Sequence, residues 1–203
     1  MPPETTARRR RTQEERSAAT REALLDATIA ILGEEGYAGL TTTKVAARAG
    51  VTRGAQVHHY PSRDALVAAA IARLVERYAD AMADTLSRTS GMSLGERLDL
   101  LWTQFRGPVF QAILQLSAAS PTEPQIRDSV ALLDRTLTRL LLRNAPAILG
   151  DAYRPGQEDA LFTAFSAMSG LALNYRLVGF DDALLTTRWT NTRTQLLRLL
   201  TPA

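Results

Sequence analysis

Arg53, Gln56, His58, His59 and Tyr60 fall within eight residues of one another, and no aspartate or glutamate lies anywhere between Thr41 and Arg63. Guanidinium, amide, imidazole and phenol groups at this density suit nucleic acid: arginine donates a bidentate pair to guanine, and glutamine pairs with adenine or reaches a phosphate. Arg53 and Gln56 are the expected readers of base edges. Gly54 and Ala55 lack bulk, so the backbone can approach the bases and the Ala55 methyl can meet a thymine methyl, although tight packing explains both residues equally well. Thr41, Thr43, Lys44, Thr52, His58, His59, Tyr60 and Arg63 supply the donors that hold phosphates and set register.

Other chemistries fit poorly. His58 and His59 are the only histidines, and adjacent positions do not share a helix face as metal ligands do. The chain has no cysteine, and no serine has a histidine outside this stretch to activate it. Glu-x-x-His pairs, which a di-metal helical enzyme needs, are missing. The expectation is a non-enzyme without metal or cofactor.

The elements that must position these groups follow from local signals. Thr41 caps one short helix, Val45 points to a core, and small Ala46 and Ala49 let a second helix cross closely. Gly50 takes the positive φ of a tight inter-helix turn, and Thr52 caps the next helix, which Pro61 stops. This is a helix-turn-helix over Thr41 to Tyr60, with the second of the two helices laid in a major groove.

Around it the chain reads as all-α, with about nine helices. A first helix spans Arg16 to Glu35 and stops at Gly36; Ser62 caps a long helix to about Ser87; further helices span Leu94 to Arg106, Val109 to Ala119, Gln125 to Asn144, Gln157 to Leu177 and Asp182 to Leu200. Pro146 to Gly156 reads as a loop. Residues 1–15 form a basic arm containing Arg8-Arg9-Arg10-Arg11, expected to be disordered and equally readable as a solvated tail; 16–61 form a three-helix DNA-binding domain; 62–203 form a larger helical domain. With 45% hydrophobic residues among 203 there is enough apolar material for a sizeable core. The net charge is +3, and Lys44 is the only lysine among 24 cationic residues. No apolar run approaches the ~18 residues of a membrane span, and a cytoplasmic protein is expected.

Gly36-Tyr37, Thr41, Val45-Ala46, Ala49 to Gly54, His58 to Arg63 and Asp64-Ala65-Leu66 resemble the N-terminal signature of the TetR (tetracycline-repressor-like) family, over about Arg16 to Leu74. The resemblance implies backbone contacts by Thr41, Lys44, His59, Tyr60 and Arg63, and base contacts by Arg53, Ala55 and Gln56. Val57 departs from it, standing where the family often has an aromatic residue. The resemblance also implies dimerisation through the last two long helices, for which Leu161, Ala164, Met168, Ala172, Leu185, Trp189, Leu196 and Leu200 are the candidates, intramolecular packing being the competing explanation. Trp102, Phe105, Phe110, Leu114, Phe162, Phe165, Ser169 and Tyr175 are candidates for a pocket, or alternatively plain core. Such a pocket would take a small, mainly apolar or aromatic effector, with Arg106 as the nearby charge. The function implied is a homodimeric repressor on an inverted-repeat operator in double-stranded DNA, released by that effector. A ligand-independent or architectural DNA-binding protein is the main alternative, and a protein-partner or membrane-surface module a more distant one.

Overall fold

In the computed structural model residues 12–179 and 181–201 are described, and they are helical without a strand. The Arg8 to Arg11 run lies outside the described residues. Helix α1 (Gln13–Gly39) begins earlier than the sequence suggested, because Thr12 and Glu15 form a reciprocal capping box. Residues 13–15, read from the sequence as part of the N-terminal arm, are thus helical. Gly36, with φ 73°, breaks α1 near its end, and one further turn carries the chain to the next element.

Helices α2 (Thr42–Arg48) and α3 (Arg53–His59) are capped by Thr41 and Thr52, and α4 (Arg63–Ser87) by Ser62. Each such cap stabilises a helix start by about 1 kcal/mol. The core of this end is Leu24, Ile31, Leu32, Leu40, Val45 and Leu66, all at most 1% exposed. Arg73 pairs with Glu22 at 2.5 Å, and Arg77 pairs with Asp26, so α1 is tied along α4.

The second unit contains α5 (Leu94–Phe105), α6 (Pro108–Ala119), α7 (Pro124–Arg143), α8 (Ala145–Leu149), α9 (Glu158–Asn174) and α10 (Asp182–Leu200). A 3-10 turn follows α8, and a π-helical turn, Tyr175–Gly179, follows α9. The segment expected to be a loop thus contains α8, because Ile148 and Leu149 are both only 1% exposed and anchor a helical turn in the core. Among the described residues the α-helices therefore number ten. α1 packs along α6 and α4, and α4 against α7, so the two units share a continuous core.

The residues expected at a dimer interface are inside the protomer: Leu161, Ala164, Met168, Ala172, Leu185, Trp189, Leu196 and Leu200 are each at most 8% exposed. The strongest apolar stripes of α9 and α10 are consumed by packing on each other and on α5. Trp189 stacks on Trp102 at 4.8 Å, and its indole N–H donates to Asp99 at 2.9 Å. Phe162, Leu184 and Leu199 are the large apolar side chains that these two helices leave exposed.

Candidate DNA interface and effector cavity

Two capped helices meeting at a tight turn present α3 to solvent. Gly50 adopts φ 67° at the turn, and the Val51 N–H donates to the Ala46 carbonyl at 3.0 Å. The hydroxyls of Thr41 and Thr52 accept from Lys44 N–H and Ala55 N–H at 3.2 Å each, which leaves both hydroxyl protons free to donate outward. Arg53, Gly54, Val57 and His58 are exposed together on α3, and Ala55, His59 and Tyr60 are half-buried beside them.

Gln56 does not join that face. It is 0% exposed, its Nε2 donates to the Tyr60 carbonyl at 2.5 Å, and its Oε1 accepts from Arg53 Nη1 at 2.6 Å. Base reading by Gln56 is therefore replaced by a positioning role: it closes the end of α3 and orients the Arg53 guanidinium. Arg63 is likewise withdrawn. Its guanidinium sits 3.9 Å from the centre of the Tyr37 ring and donates to the Tyr37 carbonyl, joining the start of α4 to the end of α1 instead of reaching a phosphate.

Val57, 42% exposed, stands one helical turn beyond Arg53 and adds an apolar contact surface that residue type alone concealed. Thr43 is exposed, and Lys44 pairs with Glu35 at 2.5 Å, so a phosphate must displace that carboxylate. Arg48 makes a two-pronged contact with Glu34 at 2.5 and 2.6 Å, holding that carboxyl below its usual range. Partial burial, aided by His58 and Arg21, lowers the pKa of His59, and burial raises that of Tyr60. Among the described residues no cluster of three or more His, Asp or Glu is placed to hold a metal ion.

The second candidate site is a cavity of about 280 Å³ between α6, α7 and α9. Phe110, Leu114, Phe162, Phe165 and Ser169 line it as expected, joined by Ile113, Ser117, Leu133, Asp134, Leu137, Thr138 and Ser166. Trp102 and Phe105 are absent from this lining: the first is stacked on Trp189, and the second faces an adjoining void. Tyr175 is also outside it, its hydroxyl 3.4 Å from Asp182 on the π-turn side. Arg106 pairs with Asp182 at 3.5 Å, and Asp134 on α7 is instead the one charged group of the wall. Residues of α7 escaped notice because its apolar stripe reads as ordinary core.

Two struts connect this unit to the DNA-facing one. Arg176 on the π-turn donates to the Gly33 carbonyl at 2.5 Å, just ahead of the break at Gly36, and Gln125 at the start of α7 donates to the Tyr37 hydroxyl at 3.1 Å.

A helix-turn-helix with an exposed basic reading helix, set on an α-helical bundle with an aromatic-walled cleft, defines a DNA-binding regulator. Comparison with known proteins agrees. Residues 24–70 match the model of bacterial regulatory proteins of the tetR family. The HTH-type transcriptional regulator CymR of Pseudomonas putida is 31% identical over 172 residues, covering 81% of this chain and 83% of CymR. Among solved structures, a transcriptional regulator from Rhodococcus superposes with a TM-score of 0.68 at 23% identity, covering 88% of this chain and 96% of its own. The multidrug binding protein EbrR complexed with ethidium superposes with 0.58 at 25% identity, covering 89% and 97%. The chain belongs to the TetR family of transcriptional regulators and binds DNA.

Proposed function

We propose that the protein is a homodimeric repressor that binds a pseudo-palindromic operator and is released when a small, mainly apolar effector fills the α6–α7–α9 cavity. The observation that carries this reading is the pairing of a pre-oriented Arg53 on an exposed, acid-free α3 with an aromatic-walled cavity in the same chain. Two copies of α3 would enter successive major grooves ~34–36 Å apart. The outward faces of α9 and α10, where Phe162, Leu184 and Leu199 are exposed, are the proposed dimer surface, in place of the inward residues first expected there. The site of action is the cytoplasm; no helix among the described residues is long and apolar enough to cross a membrane.

Ligand control rather than a ligand-independent architectural role is favoured by the cavity itself, a cleft of about 280 Å³ that is open to solvent on one side and walled by Phe110, Phe162 and Phe165, with a few polar groups among apolar ones. That EbrR, similar along most of its length, holds ethidium points the same way. Release requires the effector to bind the DNA-free state more tightly, by ~1–3 kcal/mol in typical coupled systems. Aromatic compounds that raise the thermal stability of the free protein should displace it from labelled operator in an anisotropy titration, with two chains per duplex. A compound that occupies the cavity tightly yet leaves operator affinity unchanged contradicts ligand control.

A further inference from the structure

Tyr78 lies midway along α4, the helix whose first turn is joined to the DNA-facing unit by Arg63. It is 4% exposed, and its hydroxyl is buried with no hydrogen-bond partner. An orphaned buried hydroxyl loses its hydration without a compensating hydrogen bond, so its presence in an apolar interior needs a reason. Burial also raises the Tyr78 pKa, so the group remains a neutral phenol and a donor.

The space around it supplies the reason. Tyr78 and Met82 border two small voids of about 10 Å³ each. One void shares Phe165 with the main cavity, and the other shares Phe110 with it. Those two rings, 6.1 Å apart and edge to face, are the partition between the orphaned hydroxyl and the larger chamber. A void of this size has room for one water, but a stable buried water needs two to four polar partners. Only Gln104 in one void, and none besides Tyr78 in the other, adds a polar side chain. Phe110 and Phe165 are the side chains a ligand would have to turn aside to join the three spaces, from Asp134 at the α7 wall to Tyr78 on α4.

We infer that Tyr78 is the polar anchor of the effector site, and that its ligand is an aromatic compound bearing an uncharged hydrogen-bond acceptor such as a ketone, ester or amide carbonyl. The inference rests on the effector reading of the cavity above and adds the ligand's chemical class. The acceptor is uncharged because no lysine, arginine or histidine lines either void at Tyr78, Arg135 and Arg139 standing only at the open end beyond Asp134, and a carboxylate buried against a single hydroxyl is not compensated for its lost hydration. Anchoring on α4 places the ligand's polar end on the helix that leads to the DNA-facing unit.

The test uses three probes of similar shape, 2-acetylnaphthalene, 2-isopropylnaphthalene and 2-naphthoate, titrated into the full chain and into Tyr78→Phe. Acetylnaphthalene should bind the unmodified protein about tenfold more tightly than isopropylnaphthalene. Tyr78→Phe should erase that preference, leave isopropylnaphthalene unchanged, and not lower the melting temperature, since the hydroxyl it removes has no partner. Equal affinity of the two neutral probes, an equal loss of both in Tyr78→Phe, or tightest binding by naphthoate overturns the inference while leaving an effector cavity in place. A melting temperature lowered by Tyr78→Phe overturns it too, by revealing a partner for the hydroxyl. Binding of none of the three contradicts both the inference and the cavity's role.

Discussion

The DNA-facing unit and the cavity are built by opposite rules. Every determinant of the α3 face lies within about twenty consecutive residues: Thr41 and Thr52 cap, Gly50 turns, and Gln56 orients Arg53 three positions away. The cavity draws its wall from α6, α7 and α9, which span some sixty residues of chain, and its polar anchor from α4. The first region places polar groups outward on a rigid local frame; the second keeps apolar groups apart around a space. Recognition of DNA is thus encoded locally and can be lost residue by residue, whereas the ligand site depends on how distant helices pack and changes shape when any of them shifts.

That contrast fails or sharpens on specific substitutions, beginning with the largest effect. Leu137→Ala truncates a 5% exposed wall residue and should cost about 2–5 kcal/mol of stability in denaturant unfolding. Operator sequence preference should nonetheless stay as it was; a changed preference would mean the two regions are not separable. Arg53→Ala should cost about 1–3 kcal/mol per half-site and relax one base position in each. Gln56→Ala should relax that same position, because it releases Arg53, and should also lower the melting temperature by unpairing the Tyr60 carbonyl. Relaxation of a second, separate position would restore Gln56 as a reader.

Smaller effects test the frame itself. Thr52→Ala removes the hydroxyl that accepts from Ala55 N–H and should destabilise α3 by about 1 kcal/mol, visible as faster amide exchange in that helix. The smallest effect is electrostatic. Partial burial holds the pKa of His59 below its ordinary value of about 6.5, so the imidazole is neutral at pH 7 and becomes cationic only below that value. A bound phosphate favours the cationic form, so operator affinity should rise as pH falls below about 6.5. His59→Gln should flatten part of that rise, and an unchanged pH profile would remove His59 from the interface.

The same contrast explains what was legible in the sequence. Caps at Thr41, Thr52 and Ser62, and the break at Gly36, depend on neighbours within four residues and stand where the sequence placed them. Gln56 was misassigned because its polar type suggested a reader, while its register on α3, inside the line of Arg53 and Val57, points inward. The apolar stripes of α9 and α10 were visible, but periodicity marks which residues are buried and not whether a second protomer does the burying. Asp134 and Tyr78 carried no local signal: the role of each exists only once helices far apart in the chain are brought together.

The central claim is sequence-specific DNA reading by α3, and selection of bound sequences from a random duplex pool tests it most directly. The unmodified protein should enrich an inverted repeat, and Arg53→Ala should enrich the same repeat with one position per half-site relaxed. A pool that remains random after repeated selection, at salt low enough to retain binding, would contradict it.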